Sequence, residues 1–203
     1  MNAYWMIIAV LFPILGGLLV PFLPFGNRKQ MCIYVETVVL ITTAIVLCLL
    51  FRRPDGTVIL FRFTGNLRVG FHLDGVGSIF AGIIGILWPL ATLYAFEYMK
   101  HEDHNAIFFM FFTMTYGITM GVALAEGILT MYFFYEMITL ITLPLIMHNL
   151  SREAVLAGRA YLYYSIGGAA FGFIGMVFLL VYGTTGSFVP GGILDAAVMA
   201  DHR

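Results

Sequence analysis

Long apolar runs broken by short polar stretches make up most of this chain. One runs from about Trp5 to Phe22, and a second from Met31 to Phe51 with Glu36 as its only charge. A third, Val76 to Tyr98, carries Pro89 inside it and Glu97 at its end. From Ala106 to Met147 only Glu126 and Glu136 are charged. As one helix that stretch would measure about 63 Å, twice a hydrocarbon core of about 30 Å. It must fold back, and Glu126-Gly127 is the natural turn. This gives spans at Ala106–Ala125 and Gly127–Met147, and the last run, Ala160–Tyr182, makes a sixth. The pattern predicts an all-α polytopic membrane protein of six transmembrane helices, forming one membrane domain over residues 1–203.

The breaks between runs differ in kind. Asn27-Arg28-Lys29-Gln30 is a short basic loop, and His148 to Arg159 is a polar connection. Arg52 to Asp74 holds four arginines and no long apolar run. Within it, Thr57–Phe63 and Leu67–Leu73 flank Gly65-Asn66, a two-residue hairpin signal. We expect a β-hairpin over residues 56–73, lying on one membrane face between the second and third helices. Its arginines are suited to lipid phosphate or a partner subunit, and equally to plain solvation on an exterior strand. The tail, 183–203, is too short and too broken by Pro190-Gly191-Gly192 to cross a membrane. Ile193 to Met199 suits a short interfacial helix. In the sixth run, Gly167-Gly168, Gly172 and Gly175 suggest close helix packing.

Composition agrees with the pattern. Of 203 residues, 61% are hydrophobic and 10% charged, against about 25% charged in soluble domains. A net charge of −1 gives nucleic acid nothing to bind. The N-terminus lacks a basic leader, so the first run is expected to remain as a helix. Cys32 and Cys48 fall in one expected helix about 24 Å apart, too far for a disulfide, and neither has metal-ligand spacing. Lys and Arg number five in the loops after spans one, three and five, and five elsewhere. The positive-inside rule weighs short loops over folded segments, so Arg28, Lys29, Lys100, Arg152 and Arg159 are expected on the cytoplasmic side.

One polar residue stands out against this background. Glu136 lies near the middle of the fifth run, where a carboxyl group is costly unless paired, hydrated or neutral. It reads either as a functional ion site or as a protonated, hydrogen-bonded tie between helices. Thr139 lies three residues on, on the same helix face. Pro144 has no N–H, so the Leu140 carbonyl loses its helical donor. Glu136, Thr139, Leu140 and Pro144 therefore form the candidate ion-translocation site. Glu36, Glu97, Glu126 and His148 are secondary candidates, the acids being close enough to span ends for water to reach them. The loop Lys100-His101-Glu102-Asp103-His104 invites a metal, but nothing else in the sequence converges on it, and no metal is expected. Haem needs axial ligands within reach, and the five histidines all lie in loops or at span ends. No cofactor is expected. No nucleophile–base pair, phosphate loop or zinc spacing marks a catalytic site.

Several segments together resemble a known family. They are Phe71-His72-Leu73-Asp74-Gly75 entering the third span, Glu97-Tyr98-Met99 closing it, Phe108-Phe109-Met110-Phe111-Phe112 in the fourth, and Tyr132-Phe133-Phe134-Tyr135-Glu136 leading to Pro144-Leu145-Ile146-Met147-His148. Ala160-Tyr161-Leu162-Tyr163-Tyr164 and Thr184-Thr185-Gly186-Ser187 complete the order. This order over about Gly56–Ser187 resembles the antiporter-like subunits of respiratory complex I, Mrp-type cation/proton antiporters and membrane-bound hydrogenases. The resemblance implies that Glu136 is the fifth-helix glutamate that pairs with a lysine in a broken seventh helix. Such subunits have about fourteen helices, and here the sequence stops after the sixth, with no lysine after Lys100. The resemblance therefore implies one part of a split subunit, or a shortened paralogue kept as scaffold. The break before helix seven favours the split.

The expected function is a contribution to proton or sodium translocation in a redox-driven pump or antiporter complex in a prokaryotic inner membrane. The alternative is a scaffold subunit of such a complex without an ion path. A haem-binding anchor and an autonomous small-molecule transporter are disfavoured, the latter because no internal repeat is present. Expected partners are other membrane subunits, one supplying later helices with an intramembrane lysine, together with peripheral redox subunits and lipid.

Overall fold

A computed structural model describes residues 3–64, 67–101, 105–148, 150–189 and 191–194. Six helices are long and apolar enough to cross a membrane: α1 (Trp5–Leu19, continued by one tight turn, Val20–Phe22), α2 (Arg28–Arg52), α3 (Gly75–Tyr98), α4 (Asn105–Ala123), α5 (Ile128–Ile146) and α6 (Arg152–Tyr182). Between α2 and α3 lies an antiparallel hairpin, β1 (Val58–Thr64) and β2 (Leu67–Phe71). The Gly65-Asn66 turn and most of the proposed 193–199 helix lie outside the described residues. The chain is an integral, multi-pass membrane protein.

Helix starts follow local chemistry. Asn27 caps α2 by accepting from the Gln30 amide at 2.9 Å, and the Gln30 side chain returns the favour to the Gly26 amide at 2.8 Å. Asp74 caps α3 through the Gly77 amide at 2.5 Å. Ser151 caps α6 through the Ala154 amide at 3.1 Å. That cap explains why α6 starts at Arg152 and not near Ala160. The charges at Arg152, Glu153 and Arg159 mark a helix emerging into water, not its absence. At 31 residues α6 is about 46 Å long, well beyond the hydrocarbon thickness.

The helix α4 is central, packing against α1, α3 and α5, while α2 sits between α1 and α3. Glycines let α1 and α4 approach to backbone contact: a Cβ on Gly117 would lie 2.3 Å from the Val10 carbonyl oxygen. Pro89 deprives the Gly85 carbonyl of its helical donor. The Thr43 hydroxyl of α2 replaces it at 3.1 Å and also meets the Tyr116 hydroxyl at 3.0 Å, with Trp88 stacked on Tyr116. The last helix, α6, rests on α5. Only part of its glycine stripe does what was expected. Gly172 lies near Tyr132, but Gly167, Gly168 and Gly175 have nothing within 4 Å of an added Cβ; the close contact comes instead at Gly158, outside that stripe, which packs on Met147.

The hairpin is wedged under α4 and α5. Val58, Val69 and Phe71 are buried, and Phe71 meets Phe134 of α5 with ring centroids 5.5 Å apart. The Gly70 amide donates to the Thr130 hydroxyl at 3.1 Å. The link 124–127 turns the chain from α4 back into α5, as the Glu126-Gly127 break led us to expect. It runs extended between hairpin and tail, with the His72 amide donating to the Leu124 carbonyl at 2.9 Å and the Ile128 amide to the Gly186 carbonyl at 3.1 Å.

Candidate functional site

Glu136 lies eight residues past the start of α5, about 12 Å of helix rise from that end. Its Oε1 is shielded from solvent and has no hydrogen-bond partner among the described residues. It faces a 350 Å³ cavity whose other walls are Tyr132 and, from α6, Ile166, Ala169, Ala170, Phe173 and Ile174. Tyr132, one turn earlier, interacts with the carboxyl and donates its hydroxyl to the Ala169 carbonyl at 3.4 Å. The wall on the α6 side is apolar and open: Ile166, Phe173 and Ile174, which line it, are exposed, as are Tyr164 and Phe171 on the other side of α6. An acid in such a place is either neutral or ionised with a cation brought to it.

The neighbours expected around Glu136 divide. Thr139 is buried. Leu140 turns its side chain outward, and no side chain among the described residues donates to the carbonyl that Pro144 frees. This contrasts with Pro89, whose freed carbonyl Thr43 satisfies. Thr142, three residues past Thr139, donates to the Ile138 carbonyl at 2.8 Å and contacts the Tyr161 hydroxyl of α6 at 2.6 Å. Tyr132 and Tyr161 are additions the sequence pattern did not single out, since an aromatic at helical spacing reads first as core.

Two secondary acids depart from expectation. Glu126 is 6% exposed rather than bathed by water. Its carboxylate receives Arg68 of β2 at 2.5 and 3.3 Å and the Ser187 hydroxyl at 2.5 Å, while Arg68 also reaches Ser187 at 2.8 Å. The backbone closes the same joint: the Glu126 amide donates to Gly70 at 3.1 Å, and the Phe188 amide donates to the Glu126 carbonyl at 3.0 Å. Gly127 is needed here, since a Cβ would lie 2.2 Å from the Gly186 oxygen. Glu36 is half-buried, and its Oε2 is shielded without a partner among the described residues, so it too is not simply hydrated. Glu97 is exposed and pairs with Lys100 at 3.2 Å. His148, at the end of α5, has Nδ1 3.1 Å from the Leu145 carbonyl oxygen and its ring against Phe108.

Arg68 is the hairpin arginine with a carboxylate. It pairs across the strands with Arg62, so two like charges would otherwise face each other. Among the described residues no three His, Cys, Asp or Glu side chains come together as a metal site. Most of the Lys100–His104 loop lies outside them.

Comparison with known proteins places this arrangement. No family model matches the chain. It is 24% identical over 156 residues to a Na+/H+ antiporter subunit A1 of Staphylococcus aureus, covering 74% of this chain and 20% of that protein. The same subunit from strain JH9 gives the same figures. The fold matches a chain in the structure of the membrane-bound sulfane sulfur reductase, an archaeal respiratory membrane complex. There the TM-score is 0.72 at 18% identity, over 90% of this chain and 38% of that one. The chain is thus related to antiporter-type subunits and corresponds to their N-terminal part. It spans about a fifth of the length of the curated relatives it matches.

Proposed function

We propose that this relative of antiporter-type subunits contributes to proton or sodium translocation in a multisubunit pump or cation/proton antiporter of a prokaryotic inner membrane. In this reading Glu136 carries the exchangeable charge. The observation that supports it best is the shielded, unpartnered Oε1 of Glu136, deep in α5 and facing a cavity walled by a helix with an open back. A carboxyl so placed is costly to ionise alone, and a cation brought near lowers that cost. Among the described residues no cation pairs with Glu136. In this reading one is brought to it by another polypeptide, as in a split subunit, and an intramembrane lysine is the group that fits. When it is near, Glu136 is ionised. When it withdraws, Glu136 takes a proton. That alternation is the transport step, with Thr139 and the Leu140 carbonyl freed by Pro144 as the polar lining beside it.

The scaffold reading draws support from a different place, the Arg68–Glu126–Ser187 joint, which ties hairpin, helices and tail without any mobile charge. One substitution separates the two. Glu136→Gln keeps shape and hydrogen-bonding capacity but cannot ionise. In the native complex sealed into vesicles, it should abolish ion uptake while the complex still assembles. Uptake at the unmodified rate would remove Glu136 from the mechanism and leave the scaffold.

A further inference from the structure

Glu136 stands far from the membrane face where α5 ends, so a proton arriving from that face needs a carrier on the way. His148 closes α5 there. A carbonyl oxygen only accepts, so the contact with Leu145 puts the ring hydrogen on Nδ1 and leaves the lone pair of the neutral ring on Nε2. That Nε2 is shielded and has no hydrogen-bond partner among the described residues. The ring packs edge-on to Phe108 of α4, centroids 5.8 Å apart, and lines a 350 Å³ cavity with Ile107, Leu143, Pro144, Met147 and Leu150. An unengaged base thus sits beside a hollow at the foot of the helix that carries Glu136.

We propose that His148 is the proton-loading residue for Glu136, an inference that rests on reading Glu136 as the ion-carrying group. Water entering the cavity gives a proton to Nε2, and the imidazolium keeps its Nδ1–H bond to Leu145. Nε2 then returns that proton to water on the inner side, and the neutral ring is restored. Thr142 stands midway, six residues from both His148 and Glu136, about 9 Å of helix rise from Glu136 and one turn before the end of α5, past which His148 lies. The Thr142 hydroxyl donates to the Ile138 carbonyl and lies 2.6 Å from that of Tyr161. The pair relays one proton when Thr142 turns from Ile138, takes a hydrogen from Tyr161 and releases its own to water, and Tyr161 is reprotonated from the His148 side. The Leu140 carbonyl freed by Pro144 is a further acceptor between Thr142 and Glu136. One proton enters at Nε2 and one arrives on the Glu136 carboxylate. The charged residues of α5 and of α6, which packs on Met147 beside His148, are Glu136, Arg152, Glu153 and Arg159. Phe108 brings no charge from α4.

The test uses the complete complex in sealed vesicles, with proton uptake followed from about pH 5.5 to 8. His148→Asn places an amide nitrogen where Nδ1 stands and so keeps the bond to Leu145. His148→Gln retains the bulk. Both should assemble in normal amount and flatten the pH dependence of uptake over that window, with uptake at neutral pH down about 100-fold, the lower end of what a positioned acid–base contributes. Variants that pump at the unmodified rate, or that slow equally at every pH, overturn the proposal, because a packing role scales the rate without changing its pH dependence. Glu136→Gln run in parallel separates the two readings. If it is inactive while both His148 variants pump normally, only the loading role falls. If it pumps normally, the site and its loading residue fall together.

Discussion

Glu126 and Glu136 are ten residues apart and meet opposite surroundings. Glu126 is held by Arg68 and Ser187, whereas Glu136 has Tyr132 beside its carboxyl and one shielded oxygen without a hydrogen-bond partner among the described residues. The first is a built joint and the second an incomplete one. Arg68→Ala would leave a buried carboxylate uncompensated. Removing one member of a fully buried pair costs about 3–5 kcal/mol, and the partial exposure of Arg68 puts this case at or below the lower figure. The expected outcome is a lower thermal midpoint of the purified protein, restored in good part by Arg68→Lys. An unchanged midpoint would mean that the backbone contacts alone hold the joint. Thr43→Val tests a smaller effect. It removes the donor that serves the Gly85 carbonyl opposite Pro89, and should cost about 1 kcal/mol in a denaturation series. The depth of Glu136 was legible because it depends only on the length of its own apolar run. The burial of Glu126 was not, because its partners lie 58 and 61 residues away and no local spacing announces them.

At the scale of elements, the apolar runs fixed helix number and order, since each must satisfy its backbone internally to cross a membrane. Their ends were less legible. Charges near 152–159 looked like a loop, yet the Ser151 cap starts a helix there. The Glu126-Gly127 break does hold the reversal between α4 and α5, but nothing local showed that its backbone also bridges hairpin and tail. The glycines of α6 show where sequence runs out: a stripe of small residues says that something packs closely, not whether the neighbour is in the same chain. Two substitutions distinguish the cases. Gly158→Leu should disrupt the α5–α6 contact, because even a Cβ would lie 2.6 Å from Met147. Gly168→Leu enters open space and should leave the isolated chain intact, while weakening capture of other subunits in a mild co-purification. Equal recovery of those subunits with Gly168→Leu would show that this face of α6 meets lipid.

For the whole molecule, five helices share contacts around α4 and one leans outward. Lipid covers an apolar helix face about as well as protein does, so exposed Phe and Tyr on α6 do not by themselves demand a partner. The carboxyl of Glu136 does in the proposed reading, because hydrocarbon offers its ionised form neither charge nor hydrogen bonds. The cavity before it is walled by the same helix that leans outward, so a neighbour covering α6 would also complete the surroundings of Glu136. This leads to a measurement on the whole chain. In lipid nanodiscs, amide exchange of the chain alone should be fastest in α6 and in the second half of α5, beyond Glu136, and slow in α1 to α4. In the native complex that difference should close, since a helix supported on both sides opens less often. Glu136→Gln, which removes the need for a counter-charge, should slow exchange around residue 136 in the isolated chain but not in the complex. If α6 in the isolated chain is already as protected as α4, the six-helix unit is complete in itself. Glu136 would then have to be neutral without help, and the split-subunit reading would lose its physical basis.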